Sequence, residues 1–270
     1  MSSHSIKILF VEGDDREISI INNMINTFFN SQQTNVRVIP IAVGQNIYML
    51  WKLLKSDDFN SDIIELVRDK VPGASQHLHD CTRQNVDEVY LFFDLDKQQN
   101  NLLPNENPDD IMQEMLATFD NETENGKLYI SYPMVEALRD FRDGYCQPFY
   151  KCVLLGDDIS NDNYKTQTGS TNNNFAQIKR YKSKTWKSII EFFALRLRCL
   201  CDNHNLDFTS YRKNISPQTI WQIQKSKYLD KNEIFVLSAF PEFLLDYFTE
   251  VFFISNTRQK KPKFLDCPKK

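Results

Sequence analysis

Apolar residues run almost unbroken over Ile6–Val11 and again over Glu88–Phe93. Runs of this length, without polar alternation, are the pattern of central strands buried on both faces. Between them the period changes. Ile18, Ile21, Met24, Ile25 and Phe28 recur at spacings of three and four, which predicts an amphipathic helix over 15–30. Asn30–Asn35 reads as a loop. Val36–Val43 reads as a second strand, with Pro40 placing it at an edge or a bulge because proline offers no ladder donor. Gln45–Lys55 carries Ile47, Leu50, Trp51 and Leu54 on one helical face. Residues 57–85 are polar, with a short helix predicted at 61–69 and a loop through Pro72-Gly73. Lys97–Asn107 is a polar loop. Pro108 stands at the favoured first helical position and opens a helix running to Phe119. Lys127–Ser131 is a fourth strand, and Tyr132-Pro133 leads into a helix that carries Glu136. The order β-α-β-α-β-α-β predicts an α/β fold, a mostly parallel sheet flanked by helices.

Past residue 141 the pattern becomes helical. Asp157–Asn174 is rich in Asn, Thr, Ser, Gly and Asp and reads as a loop. Trp186, Ile189, Ile190, Phe193, Leu197 and Leu200 form one stripe. Pro217–Lys227 reads as a helix, and Phe240–Ile254 shows an aromatic face of Phe243, Leu244, Tyr247, Phe248, Val251 and Phe252. Such stripes read as core. The expected division is therefore 1–140, an α/β unit, and 141–270, an appended, mainly helical region.

Charge divides at the same place. The net charge of −4 is the sum of −12 over residues 1–140 and +8 over residues 141–270. An acidic half suits divalent cations and a basic half suits a polyanion. Six cysteines without a CxxC pair, in a chain of 270 residues, read as reduced thiols rather than a disulfide framework. The absence of a long apolar run excludes a membrane helix. The N-terminal MSSHSIKILFVEGDD reads as a first strand, not a leader. Together these features suggest a cytoplasmic protein with no membrane association.

The chemistry-bearing residues lie at strand ends. Glu12-Gly13 closes the first strand, and Asp94 and Asp96, two residues apart, close the third. In parallel α/β sheets, ligands sit beyond the carboxyl ends of the strands. Carboxylates there form a hard-oxygen site suited to Mg²⁺, or to Mn²⁺. His77, His79 and Asp80 are the nearest alternative metal set, but they lack the second spaced pair a zinc site uses. Nothing resembles GxxxxGK[ST], so no nucleotide-binding loop of that kind is present. For a polyanion, KRYKSKTWK at 179–187 interleaves Lys179, Arg180, Lys182 and Lys184 with Tyr181 and Trp186. The ammonium groups can neutralise phosphates, and an aromatic can stack on a base. Trp186 is more readily a core residue.

FVEGDDRE followed by LFFDLD resembles the Toprim domain, shared by type IA and II topoisomerases, bacterial primases, overcoming-lysogenization-defect nucleases and several small phage-defence nucleases. The family pattern is a strand ending in Glu-Gly and a later strand ending in DxD. The resemblance covers roughly residues 5–140. It implies that Glu12 acts as general acid/base or metal ligand and that Asp94 and Asp96 bind Mg²⁺. It also implies that Gly13 allows close approach of a phosphate. Many members carry a second acid four residues past the glutamate. Here that position is Arg16, flanked by Asp15 and Glu17, the candidates for a further metal ligand. Glu136, after the fourth strand, matches in position an additional catalytic acid of Toprim nucleases, and Lys97 stands where it can pair with a phosphate. The layout resembles nuclease effectors of anti-phage systems, including the partner of the ATPase in the PARIS system. The implied function is a Mg²⁺-dependent nuclease acting on DNA or on RNA such as tRNA, as a toxin-like effector. An ATPase partner is implied by the same resemblance, and a homodimer is compatible with it. The alternative is a non-catalytic Toprim-like regulatory or binding subunit.

Overall fold

The computed structural model describes residues 5–29, 36–95, 102–140, 153–156, 163–169, 175–203 and 205–248. Asp96, Lys97, Val251, Phe252 and the basic tail lie outside the described residues.

Strands β1 (Ser5–Val11), β2 (Val36–Ala42), β3 (Glu88–Asp94), β4 (Asp120–Asn121) and β5 (Gly126–Ser131) form one sheet in the order β2-β1-β3-β5-β4. All neighbours are parallel except β4, which runs antiparallel to β5. The uninterrupted apolar runs become the central strands: Ile8, Leu9, Phe10 and Val11 of β1 and Val89–Phe93 of β3 are all buried. β2 is an edge strand, and Pro40 stands opposite Leu9, where a missing donor costs no ladder bond on the open side.

Helix α1 (Arg16–Met24) is extended by a π-turn over Ile25–Phe29. α2 (Ile47–Ser56), α3 (Ile63–Lys70), α4 (Ser75–Leu78) and α5 (Pro108–Thr118) follow. Local chemistry sets their starts. Asn46, Asp62 and Asn107 accept the backbone N–H of Met49, Ile64 and Asp109, each satisfying an orphan donor of the first turn. Asp15 stands at the start of α1 but makes no side-chain cap; its carbonyl instead accepts from Ser19. A 3₁₀ turn over Val135–Arg139 carries Glu136, where a helix was expected.

In the second half, β6 (Val153–Leu155) pairs with β7 (Glu233–Phe235) in a separate antiparallel ribbon. α6 (Asn163–Thr168), α7 (Ser183–Leu200), α8 (Phe208–Asn214), α9 (Pro217–Lys227) and α10 (Ala239–Phe248) complete the described chain. α6 falls in the stretch expected to be a loop. It forms because Tyr164 is buried with Ala137 and Val236, and its hydroxyl donates to Asp140 at 3.1 Å. Tertiary burial here overrides a polar composition.

The connection β1-α1-β2 runs one way along the sheet, and β2 to β3 and β3 to β5 run the other. The right-handed rule for parallel crossovers therefore places α1 on one face and α2–α5 on the opposite face. α10 covers the α1 side. Phe240 stacks on Phe92 at 5.1 Å, and Phe243 meets Tyr90, Phe92 and Tyr129 at 4.8–5.9 Å. Phe28 at the end of α1 contacts both Trp186 of α7 and Phe248 of α10. Residues from both sides of position 140 thus share one hydrophobic core. Among the described residues no helix is long and apolar enough to cross a membrane.

Candidate functional site

β1 and β3 are neighbours whose outgoing connections depart in opposite directions. Such a pair leaves a crevice beyond its carboxyl ends, the usual ligand position in an open α/β sheet. Glu12 and Asp94 stand at this crevice. The Glu12 carboxylate accepts the backbone N–H of Asp94 at 3.1 Å, which locks it across the gap between the two strand ends. The backbone behind it is also fixed. Gly44, with φ of 68°, turns its N–H onto the Glu12 carbonyl at 2.8 Å, a conformation open to glycine at little cost. Leu95 donates to the carbonyls of Ser131 and Pro133, so the chain leaving β3 is held against β5.

Gly13 lies directly under Glu17. A Cβ at position 13 would fall 2.8 Å from Glu17 Oε2, so the glycine makes room for that carboxylate. Burial pushes the Glu17 carboxyl above its ordinary value, with the neighbouring charge of Arg16 acting the other way. Glu12 and Asp94 thus meet at the crevice, while Glu17 is seated over Gly13, the residue after Glu12. Asp15 is exposed and faces away towards residues 176–180. Asp96 and Lys97, expected beside Asp94, lie outside the described residues. Among the described residues no group of three His, Cys, Asp or Glu side chains is arranged to hold a metal ion. His79 Nδ1 lies 3.2 Å from the carbonyl of Gln76, and Asp80 pairs with Arg37.

Glu136 is fully buried and forms ion pairs with Arg16 and with Arg139, the latter at 3.8 Å. Its Oε2 has no hydrogen-bond partner. Arg16, at the position where the resemblance expects a second acid, thus engages Glu136, the residue expected as the additional one. Sequence spacing gave no sign of this pairing, because its members are 120 positions apart.

The basic segment is split by burial. Lys179 and Arg180 lie on a short 3₁₀ turn and are exposed; Lys182 and Lys184 are exposed at the start of α7. Tyr181 and Trp186 are core residues. Trp186 donates to Asn23 Oδ1 at 2.6 Å, and Asn23 Nδ2 donates to the Tyr181 carbonyl at 3.0 Å. Neither ring is presented for stacking on a base. Arg139, which the sequence reading passed over, stands beside Lys179 and Arg180 in an open cleft.

These features define a doubly wound α/β protein with carboxylates at its switch point and a basic cleft beside them. No protein-family model, curated protein or solved structure matches the chain.

Proposed function

We propose that the chain is a Mg²⁺-dependent nuclease of the Toprim kind. The carrying observation is that Glu12 and Asp94 meet at the β1–β3 switch point, with the Glu12 carboxylate fixed by the Asp94 N–H. Their chemistry suits a hard cation: two carboxylates on neighbouring strand ends, with a third oxygen donor, Asp96, expected from the same strand end. A bound divalent cation would neutralise charge on a phosphodiester and make a water more acidic. Glu12 is oriented by its hydrogen bond and is the candidate to hold or move a proton at the reacting oxygen. Glu17, seated over Gly13, is the further acid that the resemblance offers at this edge. Gly13 leaves the backbone at this corner without a side chain of its own.

The biological setting, an effector of anti-phage defence under the control of an ATPase partner, follows from the resemblance of the motifs and layout. A second reading, a non-catalytic cation-binding subunit, is favoured by one observation: Glu136, which would serve a second cation, is engaged by Arg16 and Arg139. One experiment separates the two. Purified protein is incubated with tRNA and with plasmid DNA, in Mg²⁺ or in EDTA, beside Glu12→Gln and Asp94→Asn. The nuclease reading expects cleavage by the wild type in Mg²⁺ alone and a loss of at least 100-fold in both variants at unchanged Tm. No cleavage by a folded wild type in the presence of its ATPase partner and an infecting phage would overturn it.

A further inference from the structure

An open cleft of about 630 Å³ lies between the first turn of α1 and residues 176–180. Among the described residues its lining contains Arg16, Arg139, Lys179 and Arg180, against one acid, Asp15. These cations come from three separated stretches of chain, and each stretch is pinned. Asn23 of α1 binds both Tyr181 and Trp186, which holds the 176–180 segment against the helix. The Tyr181 hydroxyl donates to the carbonyl of Phe175 at 2.5 Å. Arg139 donates to Thr168 Oγ1 and to the carbonyl of Lys165 of α6. The cleft is therefore preorganised rather than assembled from loose surface lysines.

Its described lining is cationic. Among the described residues the ion pairs of Arg16 and Arg139 both go to the buried carboxylate of Glu136, while Lys179 and Arg180 add two exposed cations at the rim. Burial lowers the pKa of Arg139, and the charge of Arg16 lowers it further, a sign of two guanidiniums held in mutual repulsion. An anion in the cleft relieves that repulsion. Among the described residues the lining contains no aromatic side chain, so none of them stacks on a base or distinguishes one base from another. Arg16 follows Glu12 by four residues, at most ~14 Å along even a fully extended chain.

We propose that this cleft grips a backbone phosphodiester of the strand presented to the Glu12–Asp94 edge, without reading sequence. The inference rests on the nuclease reading for the identity of its polyanion. Arg16 and Arg139 form the floor, and Lys179 and Arg180 form the rim.

The test measures binding apart from cleavage. Full-length protein in EDTA is titrated against fluorescein-labelled single-stranded oligonucleotides of mixed sequence, one DNA and one RNA, across a series of KCl concentrations. The variants are Lys179→Gln/Arg180→Gln and, as a control, Lys213→Gln, an exposed cation on α8. Thermal melts confirm equal folding. The rim variant is expected to bind both strands at least 10-fold more weakly at low salt. Its salt slope should be shallower by about 1.4, the loss of two phosphate contacts at ~0.7 each. Lys213→Gln is expected to bind as the wild type does, and a mononucleotide at equal phosphate concentration should not compete. Wild-type affinity and slope in the rim variant would overturn the cleft and leave the nuclease reading intact. Equal competition by a mononucleotide would make this a free-phosphate site and overturn the strand assignment. Weakened binding in the rim variant, with no cleavage by any protein in Mg²⁺, would uphold the cleft and overturn the nuclease reading.

Discussion

Glu136 shows how a single carboxylate can carry two roles on paper and one in the fold. Fully buried, it must be either neutral or paired, because an isolated carboxylate in an apolar interior is costly. Arg16 and Arg139 supply the pairing. Removing one partner of a buried ion pair leaves the other uncompensated, at a cost of about 3–5 kcal/mol when both are fully buried. Arg16 has a side chain 41% exposed, so solvent takes up part of that loss. Glu136→Gln is therefore expected to destabilise by about 1–3 kcal/mol, read as a lower denaturant midpoint. Arg16→Gln should destabilise in the same direction, and the double variant should cost less than the two single costs combined. A loss of cleavage in Glu136→Gln without any change in stability would instead assign it to the chemistry. At this scale the sequence was partly legible. Glu12 and Asp94 could be read because strand ends are marked by the close of apolar runs. The Arg16–Glu136 pair could not, because nothing local links residues so far apart, and Glu17 was recognisable as an acid but not as the one seated over Gly13.

At the scale of elements, α10 is the helix that fixes how the two halves meet. Its aromatic stripe is visible in the sequence, and Phe240 and Phe243 do pack on the sheet. What the stripe does not reveal is that every residue from Ala239 to Leu245 is buried, including Glu242 at 2% exposure, because α10 lies between the sheet and α7. Burial pushes the Glu242 carboxyl well above its ordinary value. Asp246 of the same helix adds to the shift, and Lys127 of β5 opposes it. Burial raises the hydroxyls of Tyr129 of β5, of Tyr132 just past it and of Tyr211 of α8; Glu242 adds to all three, and Asp246 to Tyr129 and Tyr211. For an acid whose folded pKa is raised, the folded state binds more protons than the unfolded state. Its stability contribution is fully present below the unfolded value, near 4.5, and is lost as pH rises through the folded pKa. Glu242→Gln keeps the shape and removes the proton. The Tm of the variant minus that of the wild type is expected to increase steadily from pH 5 to pH 8 in paired thermal melts. A difference independent of pH would mean that Glu242 is solvated rather than buried.

Considered as a whole, the molecule uses its second half as a wall of the first. The parallel sheet, its flanking helices and the edge position of β2 follow from apolar runs and helical periods that any part of the chain displays locally. The dependence of that sheet on residues beyond 140 does not, because it consists of contacts between distant stretches. Tyr90, Phe92 and Tyr129 present an aromatic face that Phe240 and Phe243 of α10 cover. The cover reaches the crevice itself: Tyr132 and Leu237 exchange backbone hydrogen bonds, and the Ala239 N–H donates to Ser131 Oγ, on the residue paired with Asp94. Phe240, Phe243, Leu244 and Leu245 are all buried in this contact. At ~1.5–3 kcal/mol each, their burial is worth about 6–12 kcal/mol as an upper bound. That is comparable with the whole stability of an ordinary domain, about 5–15 kcal/mol. A fragment of residues 1–140, which contains Glu12 and Asp94 with their full local sequence, is thus expected not to fold cooperatively. It should show weak near-ultraviolet circular dichroism, bind a hydrophobic dye and be cut rapidly by protease, whereas the complete chain resists. Phe243→Ala in the complete chain, at a cost of about 3–5 kcal/mol, should move it part of the way towards the same state. A fragment that instead melts in one sharp transition would show that the sheet is stable alone. The basic half would then be an attachment to the acidic crevice, rather than one of the structures that hold it in shape.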